Sequence, residues 1–345
     1  MADATGRDDD ATLPQQFLDF MNESWTAFHA VATARKMLLA AGFTELSERD
    51  PWTKDRIAPG GRYFFTRNGS ALVACAVGAK FEPGNGVIAV GAHTDSPCLK
   101  LKPTSKLTKH GMLQLGVQTY GGGLWGTWFD RDLGVAGRAL VRRRGEGGAP
   151  DEFEHKLVKV AKPICRVPTL AVHMARGSGT KIEINPETHL PPVLATAIKE
   201  QLMAGGGGDD GSNGGFVKVD GGGAGGGAGA GAGAGEKKKA DPAPGTSAAN
   251  HHAALLRVLA EELGCAPGDV EDFELQMCDV QPSAIGGVHG EFIYSGRLDN
   301  LTHVFCAARF LRRKKTHQIP YIYAHVLHES PPHTHTHARA HSPLR

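Results

Sequence analysis

A run rich in glycine and alanine divides this sequence and limits what the residues on either side can fold into. The run begins at Gly205 as GGGGDDGSNGGFVKVDGGGAGGGAGAGAGAGE. Glycine loses the most backbone entropy on ordering, and such a run has little apolar area to bury. We predict that residues 205–241 form a flexible surface insertion. The alternative, a phosphate-binding loop, is disfavoured because no strand precedes the run and no Gly-Lys-Ser/Thr closes it.

Two helices and three strands are predicted before this insertion. Apolar residues recur at helical spacing in LPQQFLDFMNESWTAFHAVATARKMLLAAGF, with Ser24 as an expected N-cap and Gly42 as a C-terminal stop. The runs GRYFFTRN, ALVACAVG and GVIAVGAH are short and rich in β-forming residues. The third predicted strand ends at His93.

Between about Lys106 and Lys199 the pattern changes to short alternating strands, which is typical of an antiparallel sheet. The segment LPPVLATAIKEQL is predicted as a short helix before the insertion. After the insertion come a predicted helix, a strand and a second helix, HHAALLRVLAEELG, DFELQMCDV and RLDNLTHVFCAARFLRR. We therefore expect an α/β unit that is split by an inserted β-rich domain.

Composition narrows the classes of function. The 345 residues carry a formal net charge of +2 and show no basic face, so nucleic acid is not a favoured partner. The polar N-terminal residues lack the apolar core of a secretory signal, and no apolar run approaches the length of a membrane span. Six scattered cysteines without a CxxC pair favour a cytoplasmic protein with reduced thiols.

His93 and Asp95 form the first candidate metal-binding motif, at the end of a predicted strand. A neutral imidazole can bind Zn²⁺ while a carboxylate two residues later accepts the proton of its other ring nitrogen, which fixes the tautomer. The alternative is a histidine at a strand end that a nearby aspartate caps.

Asp299, in SGRLDNLTHVF, is the second candidate. It lies where a loop enters a predicted helix, so it is either an N-cap or a carboxylate that bridges two metal ions. Arg297, two residues earlier, either orients this carboxylate or faces solvent.

Several longer motifs carry a resemblance to a known family. The runs GAHTDSPCLKLK, VQTYGGGLWGTWFDRDLGVAGR, LAVHM, ETHLPPVLATAI and SGRLDNL resemble the aspartyl aminopeptidases, the M18 family of dinuclear zinc peptidases. The likeness extends from about Phe17 to Leu311, apart from the insertion. It implies an α/β, zinc-aminopeptidase-like catalytic domain split by a β-rich dimerisation domain. It also implies two zinc ions, peptide substrates with N-terminal Asp or Glu, and dimers that commonly build a dodecamer.

Carried over by motif, the resemblance assigns four residues. His93 is a zinc ligand, and Asp95 is a catalytic residue whose carboxylate supports this ligand. Asp299 is the bridging zinc ligand. His173, in LAVHM, is a substrate-contacting residue that reaches the active site of a neighbouring subunit. Hydrolysis in this family proceeds by attack of metal-bound hydroxide.

The family pattern continues with Asp-Asn-Glu-Glu-Val-Gly, which supplies a general base and a zinc ligand. After Asp299 this sequence contains one acidic residue, Glu329, and five histidines between His328 and His341. This histidine-rich stretch is either a replacement metal site or the translation of a dinucleotide repeat in a truncated gene model. An incomplete site leaves a second function open, a non-catalytic assembly or dimerisation subunit.

The expected organisation has five segments. They are a first catalytic segment (1–105), the β-rich dimerisation domain (106–204), the flexible insertion (205–241), an incomplete second catalytic segment (242–311) and a divergent His-rich tail (312–345).

Overall fold

A computed structural model describes residues 12–53, 56–145, 147, 150–171, 173, 183–205, 246–312 and 322–328. The predicted insertion beyond residue 205 and the histidine-rich stretch beyond residue 328 lie outside these residues. Within them the helices are α1 (Leu13–Glu23), α2 (Ala27–Ala40), α3 (Pro186–His189), α4 (Ala197–Gly205), α5 (Ser247–Asn250), α6 (Ala253–Leu263) and α7 (Leu298–Arg312). No helix in these ranges is long and apolar enough to cross a membrane.

The strands of the same ranges are β1 (Thr44–Glu45), β2 (Arg62–Arg67), β3 (Ala71–Val77), β4 (Val87–His93), β5 (Cys98–Lys109), β6 (Met112–Tyr120), β7 (Leu133–Arg143), β8 (Glu152–Cys165), β9 (Val193–Thr196), β10 (Val270–Asp279), β11 (Ala284–Gly286), β12 (Phe292–Tyr294) and β13 (Ile322–His328). They form a five-stranded sheet, a six-stranded sheet and a small hairpin of β11 and β12.

The first sheet has the strand order β1-β2-β3-β13-β4. Strand β13 runs antiparallel to β3 and parallel to β4. Helices α2 and α7 pack against the sheet and α1 packs against both helices, and their apolar residues build one core with residues of β2 and β3 such as Phe64 and Leu72. The helical spacing of the apolar residues in α2 and α7 explains this burial.

The second sheet is antiparallel, with the order β8-β7-β10-β5-β6-β9. Helix α6 covers it through the fully buried Leu255 and Leu259, which join the core of this sheet. Two buried histidines anchor the chain just before α6. The imidazole of His251 contacts Ser105 Oγ at 2.8 Å, and His252 Nε2 lies 2.8 Å from the carbonyl of Leu107.

The two sheets meet at the turn between α1 and α2. Trp25, Ala136 and Cys278 form a small buried cluster there, and the Gln276 amide donates to the Trp25 carbonyl at 3.1 Å. Strand β4 continues almost directly into β5, so residues 94–97 connect the two sheets. The candidate metal ligands lie beside this connection.

Most predicted strands and helices are confirmed, with two differences. Thr26, not Ser24, is the N-cap of α2, because its hydroxyl accepts the backbone N–H of His29. Gly42 follows α2 with φ 79°, as expected of a helix stop. The segment LPPVLATAIKEQL, predicted as a helix, begins instead as strand β9. Residues of β9 pair with Leu113 and Gln114 of β6, and this pairing adds β9 to the second sheet.

The expected division of the chain into segments stays a prediction, and the strand pairing crosses two of its boundaries. The second sheet begins at Cys98, before the expected boundary at residue 105. It also includes β10, and α6 packs on it, although both were expected in the second catalytic segment. The reason is that β10 is hydrogen-bonded to β5 and β7, which a local sequence pattern does not specify.

Candidate metal centre

His93 is the last residue of β4, and its ring is held from one side. Nδ1 lies 3.0 Å from the carbonyl oxygen of Asp95 and 3.2 Å from Asp95 Oδ1. These two acceptors favour a proton on Nδ1, which leaves Nε2 as the nitrogen with a free electron pair. The contact predicted from the His-x-Asp spacing is therefore present in the structure.

Asp299 lies on the other side of the His93 ring. Its Oδ1 is 3.1 Å from His93 Nε2, although the two residues are 206 positions apart in the sequence. The Asp299 side chain is 90% exposed, whereas that of Asp95 is only 11% exposed. The two carboxylates therefore differ in environment: one is enclosed behind the ring and the other faces the open side.

The backbone at the start of α7 positions Asp299. Arg297 adopts φ 58°, in the left-handed region, and the peptide bond between Asp299 and Asn300 is cis. The Ser96 hydroxyl donates to the backbone carbonyl of Asp299 at 3.2 Å, which ties the start of α7 to the β4–β5 connection. Asp299 has non-helical backbone angles, φ −89° and ψ 111°. The Arg297 guanidinium neither orients this carboxylate nor faces solvent freely; it reaches the Met21 carbonyl at 3.4 Å.

Tyr120 is a site residue that the sequence reasoning missed. Its hydroxyl donates to Asp95 Oδ2 at 2.8 Å, and the ammonium group of Lys100 lies 4.0 Å from the centre of its ring. Tyr120 pairs in register with Cys98, three residues after Asp95. The pairing of β5 with β6 was the available signal, because it returns the end of β6 to the segment that contains Asp95.

A cavity of about 430 Å³ opens beside Asp299. Its charged lining residues are Arg131, Asp279, Arg297 and Asp299, and Trp128 and Met277 are among its apolar ones. Burial raises the pKa of the Cys278 thiol in its wall to about 11, so this thiol is protonated at neutral pH. The cavity combines apolar walls with charges of both signs, as is typical of a site for a small polar molecule.

The donor atoms fit part of a zinc site. An imidazole nitrogen and a carboxylate oxygen are both common zinc ligands, and two donors of one tetrahedral ion lie roughly 3.3 Å apart at ordinary bond lengths. The observed separation of 3.1 Å between His93 Nε2 and Asp299 Oδ1 agrees with this value. Among the described side chains, no third His, Cys, Asp or Glu completes a metal-binding group with them.

His173 is exposed, and the structure gives it no contact with His93 or Asp299 within this chain. A nearby anchor involves Asp130, whose carboxylate accepts the backbone N–H and the hydroxyl of Thr169 at 3.1 and 2.6 Å. These bonds lower the pKa of Asp130. The two hydrogen bonds hold Thr169, four residues before His173, against Asp130, which lies between the cavity residues Trp128 and Arg131.

The fold and the site together define a class. An α/β sheet with a histidine and a carboxylate at a strand end, joined to a second antiparallel sheet, is an architecture of metallopeptidase type. A family model described as aminopeptidase I zinc metalloprotease (M18) matches residues 20–321, and the chain belongs to this family.

Individual relatives agree with this assignment. A probable aspartyl aminopeptidase of Ricinus communis is 46% identical over 314 residues, which cover 90% of this chain and 59% of the relative. The solved structure of Chaetomium thermophilum mApe1 has a TM-score of 0.73 and 34% identity, covering 92% of this chain and 62% of that one. The Saccharomyces cerevisiae mApe1 dodecamer has a TM-score of 0.62 at 25% identity, with 92% and 60% coverage. The chain thus spans about three-fifths of the length of these proteins.

Proposed function

We propose that this chain is a zinc-dependent aminopeptidase that releases N-terminal Asp or Glu from peptides. The observation that carries the proposal is the 3.1 Å approach of His93 Nε2 to Asp299 Oδ1 at the edge of a 430 Å³ cavity. Family membership and the names of the relatives support the reaction class.

Each site residue has a role in this proposal. His93 binds zinc through Nε2, and Asp95 holds the ring in the required tautomer. Asp299 supplies an anionic oxygen that, in this family, is expected to be shared between two ions. When bound, zinc polarises the peptide carbonyl and activates water. In this proposal Arg131 or Arg297 pairs with an acidic substrate side chain, in a lining that also holds Asp279 and Asp299.

The test uses the purified chain with added Zn²⁺ and fluorogenic Asp-, Glu- and Leu-amide substrates. We expect hydrolysis of the acidic substrates, loss of at least about 100-fold in kcat/KM in His93→Ala and Asp299→Asn, and no change in His303→Ala, an exposed control on α7. A rate that survives His93→Ala would refute the assignment of the metal ligand.

Assembly into homo-oligomers is part of the proposal. The solved structure of Saccharomyces cerevisiae mApe1 is a dodecamer. In this chain the six-stranded sheet, which has its own core, is the candidate dimerisation unit. In such an assembly the exposed His173 contacts substrate in the site of a neighbouring subunit. The free state of all six cysteines supports a cytoplasmic location.

A second candidate function is a non-catalytic assembly subunit. One observation on the described residues favours it. The second sheet has six paired strands with a buried core, whereas the candidate metal site has only two ligands, His93 and Asp299. Absence of turnover together with co-purification of a full-length relative would select this function. Turnover by the isolated chain would exclude it.

A further inference from the structure

A row of charged and aromatic side chains crosses the second sheet. Strands β7, β10, β5 and β6 are neighbours in that order, and each contributes one member of the row: Arg138, Glu274, Lys100 and Tyr120. Arg138 pairs in register with Glu274. Lys100 pairs with Gln276 and Gln118, each two positions from a member of the row. Because residues two positions apart on a strand share a face, all four side chains lie on one face of the sheet.

The side chains of the row contact one another from end to end. The Arg138 guanidinium donates to Glu274 Oε2 at 3.2 Å. The other oxygen of that carboxylate, Oε1, accepts from the Lys100 ammonium at 3.1 Å. The same ammonium lies 4.0 Å from the centre of the Tyr120 ring, whose hydroxyl donates to Asp95 Oδ2 at 2.8 Å. The row therefore ends at the carboxylate that orients a candidate zinc ligand.

Lys100 is the most enclosed of the three charges in the row. Its side chain is 15% exposed, against 28% for Arg138 and 39% for Glu274. An ammonium group that is largely removed from water needs a counter-charge, and Glu274 supplies it. Attraction between the cation and the face of the Tyr120 ring also fixes this ring at the end of β6. A fixed ring keeps its hydroxyl within hydrogen-bonding distance of Asp95.

We propose that Lys100, held by Glu274, is a positioning residue for the candidate metal centre. Its ammonium fixes the Tyr120 ring, the hydroxyl of this ring fixes Asp95, and Asp95 fixes the imidazole of His93. Groups that orient a metal ligand affect metal affinity even though they do not touch the ion. Neither candidate ligand lies on the second sheet, so through this row the second sheet influences the site. The inference rests on the proposed zinc site and adds no ligand to it.

A double-mutant cycle on the Zn²⁺ affinity of the full chain tests this role without an activity measurement. The affinity is obtained from competition with a chromophoric chelator. We expect Tyr120→Phe to weaken Zn²⁺ binding about tenfold and Lys100→Met to weaken it by about threefold to tenfold. In the Tyr120→Phe background, Lys100→Met should have no further effect, because the hydroxyl through which Lys100 acts has been removed.

Three further variants separate positioning from the mere loss of a charge. Lys102→Met is the matched control, because Lys102 lies on the same strand but contacts Glu187 at 2.7 Å, and it should bind Zn²⁺ like the wild type. Lys100→Arg should keep most of the affinity, since a guanidinium can retain both the ion pair with Glu274 and the contact with the ring. Glu274→Gln removes the counter-charge of Lys100 and should weaken binding by a smaller factor. It replaces Lys100→Met in the cycle if that variant does not fold.

The outcomes separate this role from the proposed function. If Lys100→Met and Glu274→Gln bind Zn²⁺ like the wild type while His93→Ala loses the ion, Lys100 is not a positioning residue and the zinc site stands. The same conclusion follows if the effects of Lys100→Met and Tyr120→Phe multiply, or if Lys102→Met loses as much affinity as Lys100→Met. If the wild-type chain binds no Zn²⁺, both the positioning role and the proposed function are overturned.

Discussion

Burial of His29 makes the stability of this protein depend on pH at the scale of a single residue. The ring lies near the start of α2, with Nδ1 2.9 Å from the Thr26 hydroxyl, and it is 8% exposed. Burial is the main cause that lowers its pKa from 6.5 to about 4, and the positive charge of Lys159 adds to the effect. The folded protein therefore holds this imidazole neutral at pH values where the unfolded chain protonates it.

The sign of the pH dependence follows from this lowered pKa. The stabilising contribution of neutral His29 is complete above pH 6.5 and is lost as the pH falls towards 4. Over that range the free energy of unfolding should decrease by at most about 3 kcal/mol through this residue. We expect His29→Gln to flatten the curve obtained from urea unfolding at successive pH values. Exposed His303→Gln is the control, and parallel curves for wild type and His29→Gln would contradict the prediction.

Short sequence motifs identified three residues of the candidate site, His93, Asp95 and Asp299. His93 with Asp95 and the Asp299 motif were found because their neighbours in sequence are distinctive. Tyr120 was missed because its role depends on the pairing of β5 with β6, which brings a strand end back to Asp95. A hydroxyl that orients a carboxylate carries no spacing signal of its own.

At the scale of elements, β4 is an exposed edge strand. Within the described residues it is the outermost strand of the first sheet, and Val87, Ile88 and Val90 are 57%, 42% and 42% exposed. An apolar strand at a sheet edge is a template for association with other chains, because its outer backbone groups can pair with theirs. The strand that orients His93 is thus also a hazard for solubility.

Ile88→Lys should reduce this association. A charge on an edge strand opposes pairing with a second copy, and the residue lies five positions before His93. We expect light scattering at rising protein concentration to show less large aggregate than in the wild type, with an unchanged far-ultraviolet circular dichroism spectrum. Leu170→Lys, which removes an apolar residue exposed at 68% outside any strand, is the matched control. Equal effects of the two changes would show that general surface charge, not the β4 edge, governs association.

Element types were more predictable than element partners. The strands at residues 62–67, 71–77 and 87–93 and helix α6 match their local patterns because period and turn residues are encoded nearby. The insertion of β13 between β3 and β4 and the membership of β10 in the second sheet are set by contacts across long sequence distances. Strand order of this kind depends on packing of the whole sheet, which no short window contains.

At the scale of the whole molecule, residues on both sides of the predicted insertion contribute strands to both sheets. Helix α6 and strand β10, which follow that insertion, complete the core of the second sheet, and α7 completes the first. The residues between 205 and 246 therefore have to connect segments whose places are fixed by long-range packing. Their length and composition affect the free energy of unfolding through the entropy of the unfolded chain. This contribution can be measured by changing the length of the segment.

Shortening the insertion should stabilise the protein slightly. Forty residues connect Gly205 with Thr246, and a twelve-residue Gly/Ser linker would remove nearly two doublings of loop length. Each doubling costs about 0.6 kcal/mol, so the free energy of unfolding should rise by about 1 kcal/mol, with Zn²⁺ affinity unchanged. Replacement by a forty-residue Gly/Ser linker is the control and should leave stability as it is. A loss of more than about 1 kcal/mol in the short-linker variant, with the long-linker control stable, would mean that the twelve-residue span strains the fold. A loss in both would show that the natural residues make stabilising contacts and are not a passive insertion.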